Sequence, residues 1–260
     1  MSFFQAVFLG LIQGLTEFLP ISSSGHLVLF QYFFQIKEKQ MLFNVFLHLG
    51  TLIPIFIIFW TEIKEILLLK KNRHRETIFI LLAVIPTGII GILFEDFFES
   101  LFSNPIVTGF MLIITGIILY ITEKYSSGDK EIENLKFWQP VIVGLAQSGA
   151  IIPGISRSGS TIAASLLQGL NRTSAARFSF LISIPVIAGA GILQLKDIPT
   201  AGLGSLNVIP ILAGIISAAL SGFFAIKFLL KILKEGKLVY FSYYCWIIGI
   251  FVIISAGLLK

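Results

Sequence analysis

The chain has 260 residues, 56% of them apolar and 13% charged, and its mean hydropathy is +0.93. No soluble domain needs so much apolar surface, 25 phenylalanines included, so the composition points to a polytopic membrane protein. The net charge of +5 comes from 19 Lys and Arg against 14 Asp and Glu, an excess that a membrane protein carries on cytoplasmic loops, which argues against a nucleic-acid partner. The one cysteine, Cys245, sits in an apolar run, can form no internal disulfide and reads as a small packing residue. The start "MSFFQAVFLGLIQG" lacks the basic region of a cleavable signal peptide.

A spanning helix needs about 20 mostly apolar residues. Along the chain, the stretch 3–36 comes first and is broken at Pro20 and the serines that follow. Unbroken spans are expected at 42–60, 76–94 and 105–122. A second broken stretch, 138–169, is interrupted at Pro153-Gly154, and spans at 176–194, 210–228 and 239–256 complete the chain. A shift of 134 residues lays "VFLGLIQGLTEFLPISSSGH" on "VIVGLAQSGAIIPGISRSGS" without a gap and superposes the three spans after each. One offset aligning four features implies two repeats, about 1–125 and 135–260, within one integral membrane domain.

Loop charge discriminates between two arrangements of the broken stretches. If each is a re-entrant hairpin, loops 61–75, 123–137, 169–173 and 229–238 share a side and hold 12 Lys and Arg, against four (Lys37, Lys39, Lys196 and Lys260) on the other. If each spans, the split is 10 to 6. The first bias is cleaner. The expected fold is therefore all-α, with six transmembrane helices, two re-entrant helical hairpins and an inverted-topology repeat. Both chain ends and the acidic loop with Glu95, Asp96 and Glu99 then lie outside. One hairpin dips in from each side, and their tips meet near the middle, where irregular backbone is covered by protein.

Those tips carry the polar residues. Gln13 and Glu17 are four apart, on one helix face. Pro20 ends that helix, Ser22-Ser23-Ser24-Gly25 turns, Ser24 can cap the next helix, and His26 opens it close to Glu17, which can orient its imidazole. In the second half, Gly154, Ser156, Arg157, Ser158, Gly159, Ser160 and Thr161 combine glycine turns, hydroxyls and helix N-terminal amides, an anion site to which Arg157 adds a planar cationic fork. An ion pair between Glu17 and Arg157 that only holds the hairpins together is the plainer reading, but it leaves the hydroxyls and the histidine unexplained. Other polar residues read as structural: His48 and Asn44 bond across helices, His74 is solvated or near headgroups, and Arg177 snorkels. Small residues four apart, such as Gly10 and Gly14, or Gly214, Ala218 and Gly222, read as close helix packing.

"QGLTEFLPISSSGH" and "PGISRSGST" resemble the two signature motifs of the undecaprenyl-diphosphate phosphatases, the bacitracin-resistance membrane phosphatases of bacteria, and the likeness covers nearly the whole chain. The resemblance implies hydrolysis of the terminal phosphate of undecaprenyl diphosphate, recycling the lipid carrier of cell-wall synthesis, by a multi-pass plasma-membrane protein whose site opens to the external side. It also implies a divalent metal, Mg2+ or Ca2+, for which the motif offers Glu17 and Gln13, the latter standing where a second Glu also occurs in the family. By the same likeness Ser23 and His26 are the catalytic serine and histidine, with Glu17 and Arg157 beside them, and Ser156 and Arg157 bind phosphate. Ser22, Ser24, Gly25, Gly154, Ser158, Gly159 and Thr161 complete the substrate cradle. Three attacking groups stay open: Ser23 activated by His26, His26 itself, or a water. The polyprenyl diphosphate and the bilayer are the expected partners; a homodimer is compatible with the sequence and not required by it. The rival function is a transporter or flippase of an anionic prenyl-phosphate lipid, since repeats with broken helices also build carriers.

Overall fold

A chain this apolar has to pair its backbone groups within itself, and helices do so segment by segment. The computed structural model describes residues 2–34, 41–102, 104–194, 208–235 and 237–258. Among these the regular elements are helical, apart from one isolated bridge between Lys130 and Leu170. In chain order they are α1 (Phe3–Phe18), α2 (Ser23–Phe33), α3 (Met41–Ile58), α4 (Trp60–Leu67), α5 (His74–Leu93), α6 (Glu95–Leu101), α7 (Pro105–Tyr125), α8 (Trp138–Gly149), α9 (Arg157–Leu167), α10 (Arg172–Gln194), α11 (Val208–Lys234) and α12 (Val239–Leu258). Two short 3-10 turns, Lys71–Arg73 and Ile132–Asn134, lead into α5 and α8.

Five helices (α5, α7, α10, α11 and α12) are long and apolar enough to cross a membrane, and a sixth results if α3 and α4 count as one bent span. Only 28–50% of their most apolar windows is buried inside the protein. The rest faces outward as apolar stripes, such as Leu81, Ile85, Ile89 and Ile92 on α5, an arrangement suited to lipid and not to water. The protein is thus a multi-pass membrane protein. The expected span 42–60 differs in detail: the chain bends by 94° between α3 and α4. α4 carries Glu62, Lys64 and Glu65, and Glu65 accepts hydrogen bonds from Lys70 and Arg73, so this turn lies with the charged loops and does not extend the apolar helix. The acidic segment expected as a loop forms α6.

Each broken stretch folds back on itself. Phe8 stacks edge-on against Phe30 and Phe34 at the open end of the α1–α2 hairpin. At the open end of α8–α9, Gln139 and Gln168 each donate a side-chain hydrogen bond to the other's carbonyl oxygen, both at 3.2 Å. The offset seen in the sequence survives in the helix limits: α2 and α9 are both 11 residues long and begin at Ser23 and Arg157, and α7 and α12 begin at Pro105 and Val239. Packing is exchanged between the halves. α1 lies along α11, α8 lies along α5, and α7 packs on α12.

The four basic loops meet on one face. Arg75 donates to the Leu135 carbonyl, Arg177 to Glu76, Asn171 to Glu131, and Arg172 to Glu123, which also receives the Leu238 amide. Arg177 and Arg73 together neutralise the fully buried Glu76, at 2.9 and 2.7 Å. Lys37, Lys39, Lys196 and Lys260, which the sequence assigns to the opposite side, fall outside the described residues.

The exchanged contacts need glycine. A Cβ on Gly10 would stand 2.3 Å from the Gly214 carbonyl oxygen, and one on Gly144 would stand 2.3 Å from the Ala83 carbonyl oxygen. Gly10→Ala and Gly144→Ala are each expected to destabilise the protein by about 1–3 kcal/mol, as overpacking does. Gly88→Ala, whose added methyl meets nothing within 4 Å, is expected to leave stability unchanged or raise it. Thermal unfolding of the detergent-solubilised variants checks all three.

Candidate active site

Breaking a helix frees carbonyls that need donors, and the two hairpin tips supply them to each other. Ser158 Oγ donates to the Leu19 carbonyl at 2.9 Å, and Ser22 Oγ to the Ile155 carbonyl at 3.3 Å. Thr115 on α7 fixes the second tip by donating to the Gly154 carbonyl at 2.9 Å and accepting the Ser156 amide at 3.1 Å. Gly154 takes φ +97°, a left-handed conformation that glycine adopts without strain. Ser22 takes φ +69° in the first tip. A Cβ on Gly25 would stand 3.2 Å from the Gly154 Cα, and one on Gly154 would stand 2.4 Å from the Thr108 carbonyl oxygen, where there is no room for it.

Both returning helices are capped alike. Ser22 Oγ accepts the Gly25 amide at 3.2 Å, and Ser156 Oγ accepts the Gly159 amide at 3.0 Å. The cap of α2 is thus Ser22 and not Ser24, because the left-handed Ser22 already turns the chain and Ser23 is the first helical residue. Ser24 Oγ lies 3.3 Å from Ser22 Oγ, as Ser158 Oγ lies 3.2 Å from Ser156 Oγ.

The buried Glu17 carboxylate is the centre of the cluster. One oxygen, Oε2, accepts the Ser23 hydroxyl at 2.6 Å and the Gln13 amide at 2.7 Å. The other, Oε1, accepts Arg157 Nη2 at 3.1 Å. Arg157 is steadied by donation to the Ser179 carbonyl at 3.2 Å. Ser23 and Arg157, first residues of α2 and α9, thus grip one carboxylate from the two hairpins, and both are partly exposed while Glu17 is not. Arg157 Nε and Gln13 Oε1 are buried without a hydrogen-bond partner among the described residues, which leaves one donor and one acceptor for a bound molecule.

Residues 6–251 match the family described as Bacitracin resistance protein BacA. The chain belongs to that family. A relative named undecaprenyl-diphosphatase from Halothermothrix orenii is 58% identical, covering 99% of this chain and 100% of its own length. Proteins of the same name from Carboxydothermus hydrogenoformans and Methanobrevibacter smithii are 50% and 42% identical, each over 98% of this chain.

The structure gathers Gln13, Glu17, Ser22, Ser23, Ser24, Gly25, Gly154, Ser156, Arg157, Ser158 and Gly159 of this BacA-family chain at the paired tips. Two expected members face elsewhere. Thr161 Oγ1 bonds to Ser179 Oγ at 2.6 Å and to its own helix at Arg157, so it supports α9 and does not line the tip. His26 turns away from Ser23: Nδ1 donates to the Ser22 carbonyl and Nε2 accepts the Tyr244 hydroxyl, both at 2.8 Å, with the two rings stacked. Both ring nitrogens are occupied, so the imidazole is not oriented by Glu17 and does not touch the serine it was expected to activate. The bond back to Ser22, four residues earlier, is what rotates the ring toward α12.

His48 occupies the place expected for His26, with Nε2 3.6 Å from Glu17 Oε2. Its place in an apolar span makes it read as a structural helix-to-helix contact, yet an ionisable group inside such a span is functional by default, and that is the sequence signal for it. Asn44 does bond across helices, accepting Gln31 at 2.7 Å. Tyr244, Ser179 and Thr115 carried no signal apart from their polarity. Among the described residues no group of three His, Cys, Asp or Glu could hold a metal. Of the expected pair, Glu17 already receives three donors, whereas Gln13 Oε1 is free; this fits only a hard cation that takes most of its ligands from water and phosphate.

Thr115→Val removes both bonds that fix the second tip and leaves two buried backbone groups unpaired, a loss of about 1–3 kcal/mol for each. Its unfolding temperature is expected to fall, and Thr115→Ser, which restores the hydroxyl, is expected to recover it.

Proposed function

We propose that this chain hydrolyses undecaprenyl diphosphate to undecaprenyl phosphate and inorganic phosphate, the reaction its relatives' name describes, and so recycles a cell-wall lipid carrier and protects against bacitracin. The observation that carries the reading is the Glu17 carboxylate, which holds the Ser23 hydroxyl at 2.6 Å and the Arg157 guanidinium at 3.1 Å. An acceptor on a hydroxyl and a cation one residue-width away suit attack on a phosphoanhydride.

The diphosphate sits at the capped ends of α2 and α9, with Arg157 Nε and the turn amides as its donors. Ser23 Oγ attacks the terminal phosphorus while its proton passes to Glu17. The bond from phosphorus to the bridging oxygen breaks, and prenyl phosphate leaves as the anion. Arg157 offsets the charge gathered on the phosphoryl oxygens. A divalent ion, when bound, would be held by Gln13 Oε1 beside the charge of Glu17, and would neutralise phosphate oxygens. Water then hydrolyses the phosphoserine.

We place the face of basic loops on the cytoplasmic side of the plasma membrane, which puts the open end of α1–α2 on the external side. The apolar helix faces suit a substrate whose tail stays in the bilayer. A carrier for prenyl phosphate draws support from the exchanged packing of the halves, but it has no use for a hydroxyl held on a carboxylate.

Detergent-purified protein is expected to release phosphate from a prenyl diphosphate, with less release when a chelator is present. No release from the wild type would point to the carrier. Arg157→Lys is expected to lose about 10²–10³-fold in turnover, because the ammonium lacks the planar fork. A phosphate trapped on Ser23 is the expected intermediate, and one trapped on histidine would overturn the assignment of the nucleophile.

A further inference from the structure

Resting on that reading, we propose that His48 is a further catalytic residue: the base that takes a proton from the water hydrolysing phosphorylated Ser23. The ring is fixed in a useful orientation. Nδ1 lies 2.7 Å from the Asn44 carbonyl oxygen, which can only accept, so the hydrogen of the neutral imidazole sits on Nδ1 and the lone pair of Nε2 is directed outward. Nε2 faces Glu17 Oε2 at 3.6 Å, longer than a hydrogen bond. Nε2 has no hydrogen-bond partner among the described residues, whereas both nitrogens of His26 are occupied.

Position supports the same role. Ser23 Oγ lies 2.6 Å from the oxygen that His48 faces, so serine and imidazole share one side of the carboxylate and Arg157 holds the other. The two distances put Ser23 Oγ within about 6 Å of Nε2, the span of a phosphoryl group with a water behind it. The His48 side chain is 31% exposed, against 4% for Glu17 and 14% for Arg157, so it is the most exposed of these three ionisable groups. Glu17 is the acid that the ring faces.

The step balances without another reactant. The water oxygen bonds to phosphorus and the bond from phosphorus to Ser23 Oγ breaks. One water proton goes to His48 Nε2, and Glu17 returns to Ser23 Oγ the proton it took in the first step. His48 then gives its proton to the departing phosphate.

Rapid mixing of intact detergent-purified protein with a prenyl diphosphate tests this. His48→Ala is expected to release about one equivalent of prenyl phosphate in a burst, accumulate phosphoserine, and turn over about 10²-fold more slowly. Added imidazole is expected to speed its release of inorganic phosphate. His48→Asn, which can keep a donor on the Asn44 carbonyl but has no second ring nitrogen, is expected to behave the same way, so misfolding of one variant does not decide the outcome. Wild-type turnover in either variant, loss of the burst along with turnover in both, or no response of both to imidazole would overturn the role of His48 while wild-type activity stands. Absence of phosphate release from the wild type, or an intact burst in Ser23→Ala, would instead overturn the reading on which it rests.

Discussion

The Glu17–Arg157 pair is the constraint on which the rest of the structure depends. A carboxylate in an apolar protein is tolerated only if donors surround it, and stripping a buried pair of one partner costs about 3–5 kcal/mol. Glu17 meets that demand with one donor from its own helix, one from the far side of the Pro20 break, and one from the other half of the chain. The carboxylate thereby fixes how α1, α2 and α9 approach one another. The backbone makes the same demand, since carbonyls freed at Leu19, Gly154 and Ile155 are each satisfied by a hydroxyl from another segment. Holding the breaks open and holding polar groups ready for a phosphate are therefore one arrangement.

Much of this was legible in the sequence because it rests on spacing. The offset of 134 residues predicts the limits of α2 from those of α9 and the start of α12 from that of α7, and both hold. The break residues identified the tips because proline and glycine leave a helix few options. Other features depend on the rotation of one side chain, which spacing does not record. Ser23 and His26 are three apart and should share a helix face, yet a bond from the imidazole to the Ser22 carbonyl turns the ring toward Tyr244. His48, distant in sequence, reaches Glu17 through the packing of α3 on α1. The bend after α3 leaves no mark in the hydropathy for a related reason: the apolar run continues through Trp60, while the ion pairs of Glu65 are formed by residues further along.

Comparing positions related by the offset shows how a repeated scaffold comes to hold a single site. Ser23 and Arg157 are equivalent, each the first residue of its returning helix, and each points at the same carboxylate. The equivalent of Glu17 is Ile151, so the second tip has no carboxylate around which a mirror site could form. Gln147, the equivalent of Gln13, bonds instead to Thr87, and Ile182, the equivalent of His48, is buried in the main core. The geometry of the tips is supplied twice and the acid once. One copy then offers a hydroxyl where the other offers a guanidinium, which is the pairing that attack on a phosphoanhydride needs: a nucleophile and its charge partner brought to one acid from opposite directions.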